Sequence, residues 1–372
     1  MAEGSEVGSV TATTPIYRAA IVGTGRIGST YDDEVVDRKP PDFYRGEFRH
    51  IGLYTVLPVN HAGAYRTTPG FDLVAAANRG EAKLRAFGER WGVRALYTDA
   101  RQLLREERPD IVSVCTQSPE KAELAIAAAE AGVKAIVVEK ALATSMAEAD
   151  AMLAACERHG VLLAVNHPNR FSPLNRETKA LIDGGAIGRL GTVVAHSVSG
   201  MLHVGTHTFD MLRYWAGDVV EIEARVPNYA PEQDLPASGT LRFASGVTGF
   251  FDHTRGVQPG YEARGTEGYL TTSSLVGDGW LYRVSPFYPQ GARRYPHRLA
   301  VEPIEGGPHD LSPTQRLLAE LHRSLATGAP FISTGRDGAA ALELGLACHA
   351  SHLAGGPVVL PLADRSLSVP NR

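Results

Sequence analysis

Three groups of residues in this sequence have the types and spacing for chemistry. The first is Gly23-Thr24-Gly25-Arg26-Ile27-Gly28, entered from the apolar run Ala19-Ala20-Ile21-Val22. A buried strand that turns into a helix through Gly-x-Gly-x-x-Gly suits a dinucleotide pyrophosphate. Gly23 permits the tight turn, Gly25 lets backbone approach the phosphates, and Gly28 lets helix sit close to strand. The helix N-terminus adds free N–H groups and the positive end of a dipole. The competing reading is a glycine-rich turn with no ligand. The second group is Glu139-Lys140, at the end of the apolar run 135–138. Ligands of open parallel sheets sit at the carboxyl ends of the strands. A lysine there reaches a substrate oxygen, although an exposed strand-end pair is equally consistent.

The third group lies between Gly200 and Trp215 and holds His203, His207 and Asp210. A helix is expected from about Thr206, with Phe209, Leu212 and Trp215 on its buried face. His207 and Asp210, three apart on an early turn, then both face a cleft. Histidine titrates near neutral pH and suits general acid–base work. A capping or core histidine is the plainer alternative. A metal pair with His203 is another, since the two histidines are four apart. Gly205 interrupts a continuous helix between them and no third ligand is evident, so no metal is expected.

The elements that must position these groups follow from hydrophobic period and punctuation. Strands are expected at 71–77, 111–115, 135–138 and 161–165, alternating with helices at 81–91, 121–131 and 145–159. That alternation predicts a doubly wound parallel sheet, an α/β Rossmann domain over residues 16–165. Residues 31–60 carry mixed charge, Pro40, Pro41 and several aromatics. They read as an insertion outside the core, either a surface excursion or a lid or subunit contact. Residues 166–372 have another texture. A helix at 173–183 precedes β-branched strands at 192–199, 219–226, 239–243, 247–253, 261–265 and 268–272, and helices at 314–327 and 337–353 follow. This predicts an α+β domain on a large, open, mostly antiparallel sheet.

The 372 residues suffice for two domains, and 21% charged residues with a net charge of −4 favour neither nucleic acid nor an anionic membrane as partner. Cys115, Cys156 and Cys348 are widely spaced and odd in number. They read as core thiols of a reducing compartment, not a disulfide frame. Residues 1–15 are small and polar, with no apolar signal region, and read as a disordered tail. No apolar run approaches membrane-spanning length. A soluble cytoplasmic protein is expected.

Taken together, the motifs resemble the glucose–fructose oxidoreductase / inositol dehydrogenase (Gfo/Idh/MocA) family. The resemblance runs from Arg18 to about Leu353. It rests on the glycine loop, Cys115-Thr116-Gln117-Ser118-Pro119, Glu139-Lys140, Arg170-Phe171-Ser172-Pro173, residues 181–188, His207-Thr208-Phe209-Asp210 and Gly265-Thr266-Glu267-Gly268. It implies NAD(P)-dependent hydride transfer to or from a secondary hydroxyl or keto group of a sugar, cyclitol or related polyol. The family's strand-end lysine maps to Lys140 and its helix-start histidine to His207. Lys140 would hydrogen-bond the reacting hydroxyl, His207 would take its proton, and Asp210 would hold neighbouring hydroxyls. Thr116, Gln117, Ser118, Pro119 and Glu139 would border the cofactor, with Arg26 either over the pyrophosphate or solvated. Asn166, His167, Arg170 and His253 are weaker candidates for lining the cleft, each with a core or surface role as the alternative.

Three residues depart from the family pattern. Ala141 stands where proline usually follows the lysine. A cis peptide there would cost about 2.5–4 kcal/mol without proline, so a trans bond and a re-aimed Lys140 are expected. His203 stands where an aspartate usually precedes the histidine by four, and an imidazole there disfavours protonation of His207. Asn78 and Arg79 stand where NAD-selective members carry an acid. A carboxylate binds the ribose diol, whereas Asn with Arg tolerates a 2′-phosphate, so NADP is favoured over NAD. The exposed face of a large sheet suggests a homodimer or homotetramer. Two rivals remain: a glycoside-cleaving or epimerising enzyme that uses tightly bound NAD transiently, and a non-enzymatic cofactor-sensing regulator.

Overall fold

A computed structural model describes residues 14–37, 56–117, 120–255, 259–273, 278–284, 299–307 and 310–369. The first half lays down β1 (Tyr17–Val22), α1 (Tyr31–Asp37), α2 (His61–Thr67), β2 (Phe71–Ala77), α3 (Glu81–Trp91), β3 (Ala95–Tyr97), α4 (Ala100–Glu107), β4 (Ile111–Val114), α5 (Glu120–Glu130), β5 (Ala135–Glu139), α6 (Met146–His159) and β6 (Leu162–Asn166). The six strands form one parallel sheet in the order β3-β2-β1-β4-β5-β6. Every residue of β4 is buried, as expected for a strand covered on both faces. Alternate residues of β1 serve two cores. Ala20 and Val22 share one with α4, α5 and α6. Ala19 and Ile21 share the other with α2, α3 and the later residues Leu317, Leu318, Leu321 and Phe331. The sheet is therefore doubly wound, as its sequence pattern predicts.

The second half continues with α7 (Pro173–Asp183), β7 (Leu190–His196), α8 (Thr206–Ala216), β8 (Val219–Arg225), β9 (Ser238–Phe243), β10 (Thr248–Asp252), β11 (Gly260–Gly265), β12 (Gly268–Ser273), β13 (Gly279–Val284), β14 (Leu299–Pro303), α9 (Pro313–Thr327), α10 (Gly335–Ala354) and β15 (Val358–Val359). Nine strands form the second sheet in the order β14-β13-β12-β11-β7-β10-β9-β8-β15. Among the described residues of this sheet, only the β7–β10 pair is parallel; the other pairs are antiparallel. The expected α+β architecture on an open, mostly antiparallel sheet is observed.

Local signals explain the helix boundaries. Ser145 caps α6 by accepting from the Glu148 N–H, and Gly160 closes it with φ +66°. Ser312 and Gln315 form a capping box at α9, as Thr334 and Asp337 do at α10. The segment between α9 and α10 returns to the first sheet: the Val165 N–H donates to Ser333 O at 2.9 Å, and Ser333 Oγ donates back to Val165 O at 2.8 Å.

The expectation for residues 31–60 needs correction at both ends. Residues 38–55 lie outside the described residues. Tyr31–Asp37 is helical and continues the segment that leaves the glycine loop. Val59 and Asn60 are buried, and Asp32 Oδ1 accepts from both of their N–H groups at 2.9 and 3.0 Å. Charge and proline content flagged the middle of this stretch, and the side-chain bridge that draws its ends into the core has no periodic signature. Of the tail expected at 1–15, residues 1–13 lie outside the described residues, and Pro15 O is 2.8 Å from His322 Nε2.

Candidate active site

The carboxyl ends of β1, β4, β5 and β6 share one edge of the parallel sheet. At the end of β1, Gly23 turns with φ +98°, a conformation that a side chain disfavours. A Cβ at Gly28 would lie 2.2 Å from Gly23 O, whereas a Cβ at Gly25 would meet nothing within 4 Å. The loop is thus closed against its own helix and open outward at Gly25. The helical segment begins with a π turn over Arg26–Thr30, and Gly25 contributes no side-chain cap. Thr24 Oγ1 and Thr116 Oγ1 are buried without a protein partner. Open backbone at a helix start, flanked by unpaired hydroxyls, fits a dinucleotide.

Asn78 follows β2 directly. Gly23 N donates to Ala77 O at 2.8 Å, so the long excursion after β1 does not displace Asn78 from the loop. Its Oδ1 accepts from Thr24 N at 3.4 Å, and its Nδ2 donates to Gly80 O at 3.0 Å. Arg79 is exposed and paired with Glu120 at 2.7 Å. Arg26 turns along its own helix, 2.6 Å from Glu34 and over the Tyr31 ring. Ile27 is half-buried and Gln117 is exposed. Ser118 and Pro119 lie outside the described residues.

At the end of β5, the Lys140–Ala141 peptide is cis, which corrects the trans bond expected from the missing proline. The local amide preference was the only term visible in the sequence. In the fold, Ala141 is buried, and Lys121 Nζ donates to Glu139 O at 2.6 Å and Ala141 O at 2.5 Å, gripping the chain on both sides. Lys140 Nζ donates to His203 O at 2.7 Å. Burial lowers the Lys140 ammonium from its ordinary value. The Glu139 carboxylate does not face the opening alone: its Oε1 lies 2.9 Å from His61 Nε2 and accepts from Asn166 Nδ2 at 2.7 Å.

Residues 201–205 form a π turn that runs into α8, so the helix starts at Thr206 as expected. His203 is exposed and His207 is half-buried, with its Nδ1 buried and unpartnered. Burial, then Lys140 and His167, hold the His207 imidazole well below its usual range. Burial, Lys140 and Arg26 lower His203 as well. Both rings are therefore neutral at neutral pH, and a neutral ring is a proton acceptor.

Asp210 needs correction: it does not face the cleft with His207. It is fully buried, and Arg170 Nε reaches its two oxygens at 3.0 and 2.8 Å. His167 Nδ1 lies 3.1 Å from its Oδ1. Burial opposes the charge, but His167 and Arg170 outweigh it and hold the carboxyl well below the usual carboxylate range. Helical spacing allowed either face, and the buried arginine selects the inner one. Arg170 is likewise buried and also donates to Asp337 Oδ1 at 3.1 Å, so it supports the site from behind and does not line it. His167 is 1% exposed, and its ring meets His207 edge-on with centroids 6.1 Å apart. His253 is a core residue whose Nε2 lies 3.0 Å from Thr208 Oγ1. Among the described residues, no three His, Cys, Asp or Glu side chains are grouped to hold a metal.

Two family models match the chain in order. "Oxidoreductase family, NAD-binding Rossmann fold" matches residues 50–167, and "GFO/IDH/MocA C-terminal domain" matches residues 175–271. The chain belongs to the Gfo/Idh/MocA family. A D-apiose dehydrogenase of Paraburkholderia graminis is 35% identical over 213 residues, 52% of this chain and 56% of that protein. The aligned stretch thus spans little more than half of that relative. A myo-inositol 2-dehydrogenase of Thermotoga maritima is 28% identical over 235 residues, 58% of this chain and 70% of that protein. The solved structure of a levoglucosan dehydrogenase in complex with NADH and L-sorbose superposes with a TM-score of 0.72. It is 20% identical and covers 93% of this chain and 99% of that one, a likeness of fold.

Within this Gfo/Idh/MocA member, sequence reasoning missed His61, Lys121 and Asp234. His61 is fully buried between Ser113 Oγ, 3.0 Å from Nδ1, and Glu139. Burial works against its charge, but Cys115 and Glu139 outweigh it and push it up to about 10. Burial pushes the Lys121 ammonium down to about 8. Asp234 accepts from the N–H groups of Leu202 and His203, both at 2.8 Å. The Asn60 cap before His61 was a readable helix signal. Nothing local marked Lys121 or Asp234.

Proposed function

We propose that this protein is an NAD(P)-dependent dehydrogenase acting on a secondary hydroxyl or keto group of a sugar, cyclitol or related polyol. The observation that carries the reading is the meeting of Lys140, from the end of β5, with the 201–207 turn at the carboxyl edge of the Rossmann sheet. The open backbone at Gly25, with Thr24, Asn78 and Thr116, would hold the dinucleotide. When bound, its nicotinamide supplies the hydride-accepting carbon. Lys140 donates a hydrogen bond to the reacting oxygen and favours its alkoxide character. His207, held neutral, takes the hydroxyl proton in oxidation and returns it in reduction. His203 and Asn166 border the substrate, and Asn166 Oδ1 is buried without a protein partner.

NADP is favoured over NAD because Asn78 brings no carboxylate to the ribose diol and Arg79 follows it. The three free cysteines suit a reducing compartment such as the cytoplasm, and no described helix is long and apolar enough to cross a membrane. The second sheet suits a homodimer or homotetramer. Pairing aligns Phe250, Val194, Glu262, Thr271 and Trp280 across five strands, so they share one face. Phe250 and Trp280, at the two ends of this row, are 45% and 40% exposed there, and exposed apolar surface on a sheet face suits a subunit interface.

The test is a titration followed by turnover. NAD+ and NADP+ are titrated by calorimetry, and D-apiose, myo-inositol and levoglucosan are then offered with each, following nicotinamide absorbance. Binding with turnover of a polyol supports the reading. Failure of both dinucleotides to bind overturns it. Cofactor that co-purifies through gel filtration, without net turnover, favours transient redox use instead.

A further inference from the structure

The carboxylate that completes this site comes from outside the motifs that define it. Position 203 carries an imidazole, and Asp210 is spent on Arg170 inside the core. Asp234, in the connection between β8 and β9, reaches across instead. Its Oδ1 accepts from Leu202 N and its Oδ2 from His203 N, both at 2.8 Å. These N–H groups open the turn that runs into α8, where a helical start leaves donors unsatisfied and favours negative charge. The residue before the turn, Gly200, provides no cap of its own. A Cβ at Gly200 would lie 2.2 Å from Asp234 Oδ2, so the glycine leaves the space that the carboxylate fills. At the other end of the same residue, His203 O accepts from Lys140 Nζ at 2.7 Å. One carboxylate, one backbone turn and one ammonium are thereby joined in series.

We infer that Asp234 is a positioning residue of the active site: it fixes the turn whose carbonyl holds Lys140, and it supplies the negative charge that position 203 lacks. The inference rests on the dehydrogenase reading only for the use made of Lys140. Charged or titratable groups around Lys140 are Glu139 beside it, the buried Lys121 ammonium of α5, Arg26 from the glycine-loop helix, His203 and His207 from the turn and α8, and Asp234 itself. Glu139 is held by His61 and Asn166, which leaves Asp234 as the carboxylate linked to the ammonium through the turn. Cys348 of α10 also feels its charge.

The test needs neither substrate nor cofactor. Lys140 of the full-length protein is labelled competitively with acetic anhydride across pH and read by peptide mass spectrometry, with exposed Lys83 as the internal standard. Asp234→Asn removes the charge while keeping one acceptor. Asp234→Ser does so with a smaller side chain and serves if the first variant fails to fold. The expected result is a Lys140 labelling curve displaced to lower pH, with about 3- to 10-fold more label at pH 8, as loss of an opposing charge nearby predicts. Adding His203→Asp to Asp234→Asn should move the curve back. A folded variant whose Lys140 curve overlays wild type overturns the inference, as does failure of the second substitution to restore it. Because the labelling is independent of turnover, a protein that oxidises no polyol can still pass or fail it.

Discussion

Arg170 and Asp210 form a two-point ion pair inside the protein, with Arg170 Nε 3.0 and 2.8 Å from the two carboxylate oxygens and Nη2 2.8 Å from Oδ1. The pair stands behind His207 through His167 and reaches the capped start of α10 through Asp337. Arg170→Met would leave a buried carboxylate without its cation, which costs about 3–5 kcal/mol. Urea unfolding should show that loss. Because the Asp210 carboxyl lies lower folded than unfolded, its stabilisation is complete above the unfolded value of about 3.9 and is lost as pH falls toward the folded one. Asp210→Asn should flatten that acid slope.

His61 makes the opposite pH prediction. Its folded value, about 10, lies above the ordinary 6.5. The stability it contributes is therefore complete below about pH 6.5 and is lost as pH rises through about 10. Urea midpoints at pH 6, 8 and 10 should decline in wild type more than in His61→Gln. Equal declines would remove His61 from the charged network with Glu139.

His207→Asn should lower kcat by about 100- to 10,000-fold, the usual worth of a general acid–base residue, with dinucleotide affinity little changed. Burial and the neighbouring Lys140 and His167 hold His207 low, so the acid limb of kcat/KM should lie below the ordinary imidazole value. A limb above pH 6.5 would assign the base elsewhere.

Cofactor choice is tested at the end of β2. Arg79→Ala should weaken NADP+ by at least about tenfold and spare NAD+, the worth of one hydrogen bond to a charged group. Asn78→Asp should improve NAD+ relative to NADP+ by offering the ribose diol a carboxylate. Calorimetric affinities for both dinucleotides decide it, and unchanged ratios would show that neither residue reaches the ribose.

Gly28→Ala tests the loop itself. Its Cβ would sit 2.2 Å from Gly23 O, so the turn must open. Dinucleotide affinity should collapse while far-ultraviolet circular dichroism keeps its shape. Retained affinity would show that the loop yields.

Much of this protein was legible in its sequence because the relevant physics is local. Apolar period punctuated by glycine and proline placed β2, α3 and α7 to the residue: Phe71–Ala77, Glu81–Trp91 and Pro173–Asp183. The glycine loop announced its turn, since the need for positive φ at Gly23 and for close approach at Gly28 depends on neighbours a few residues away. Lys140 and His207 stood out because a strand end and a helix start are readable in one dimension.

What the tertiary structure alone decided was pairing across distance. His61 joins Glu139 from 78 residues away, Asp210 meets Arg170 from 40, and Asp234 reaches the 202–203 turn from 31 and 32. A charge acts over a few ångströms whatever the chain separation, so no spacing in the sequence announces such partners. Helical period allowed Asp210 to face the cleft, and only the buried guanidinium turned it inward. The residue types at the site were written in the chain; the protonation states that would let them act were set by burial first and then by the charges folding brought beside them.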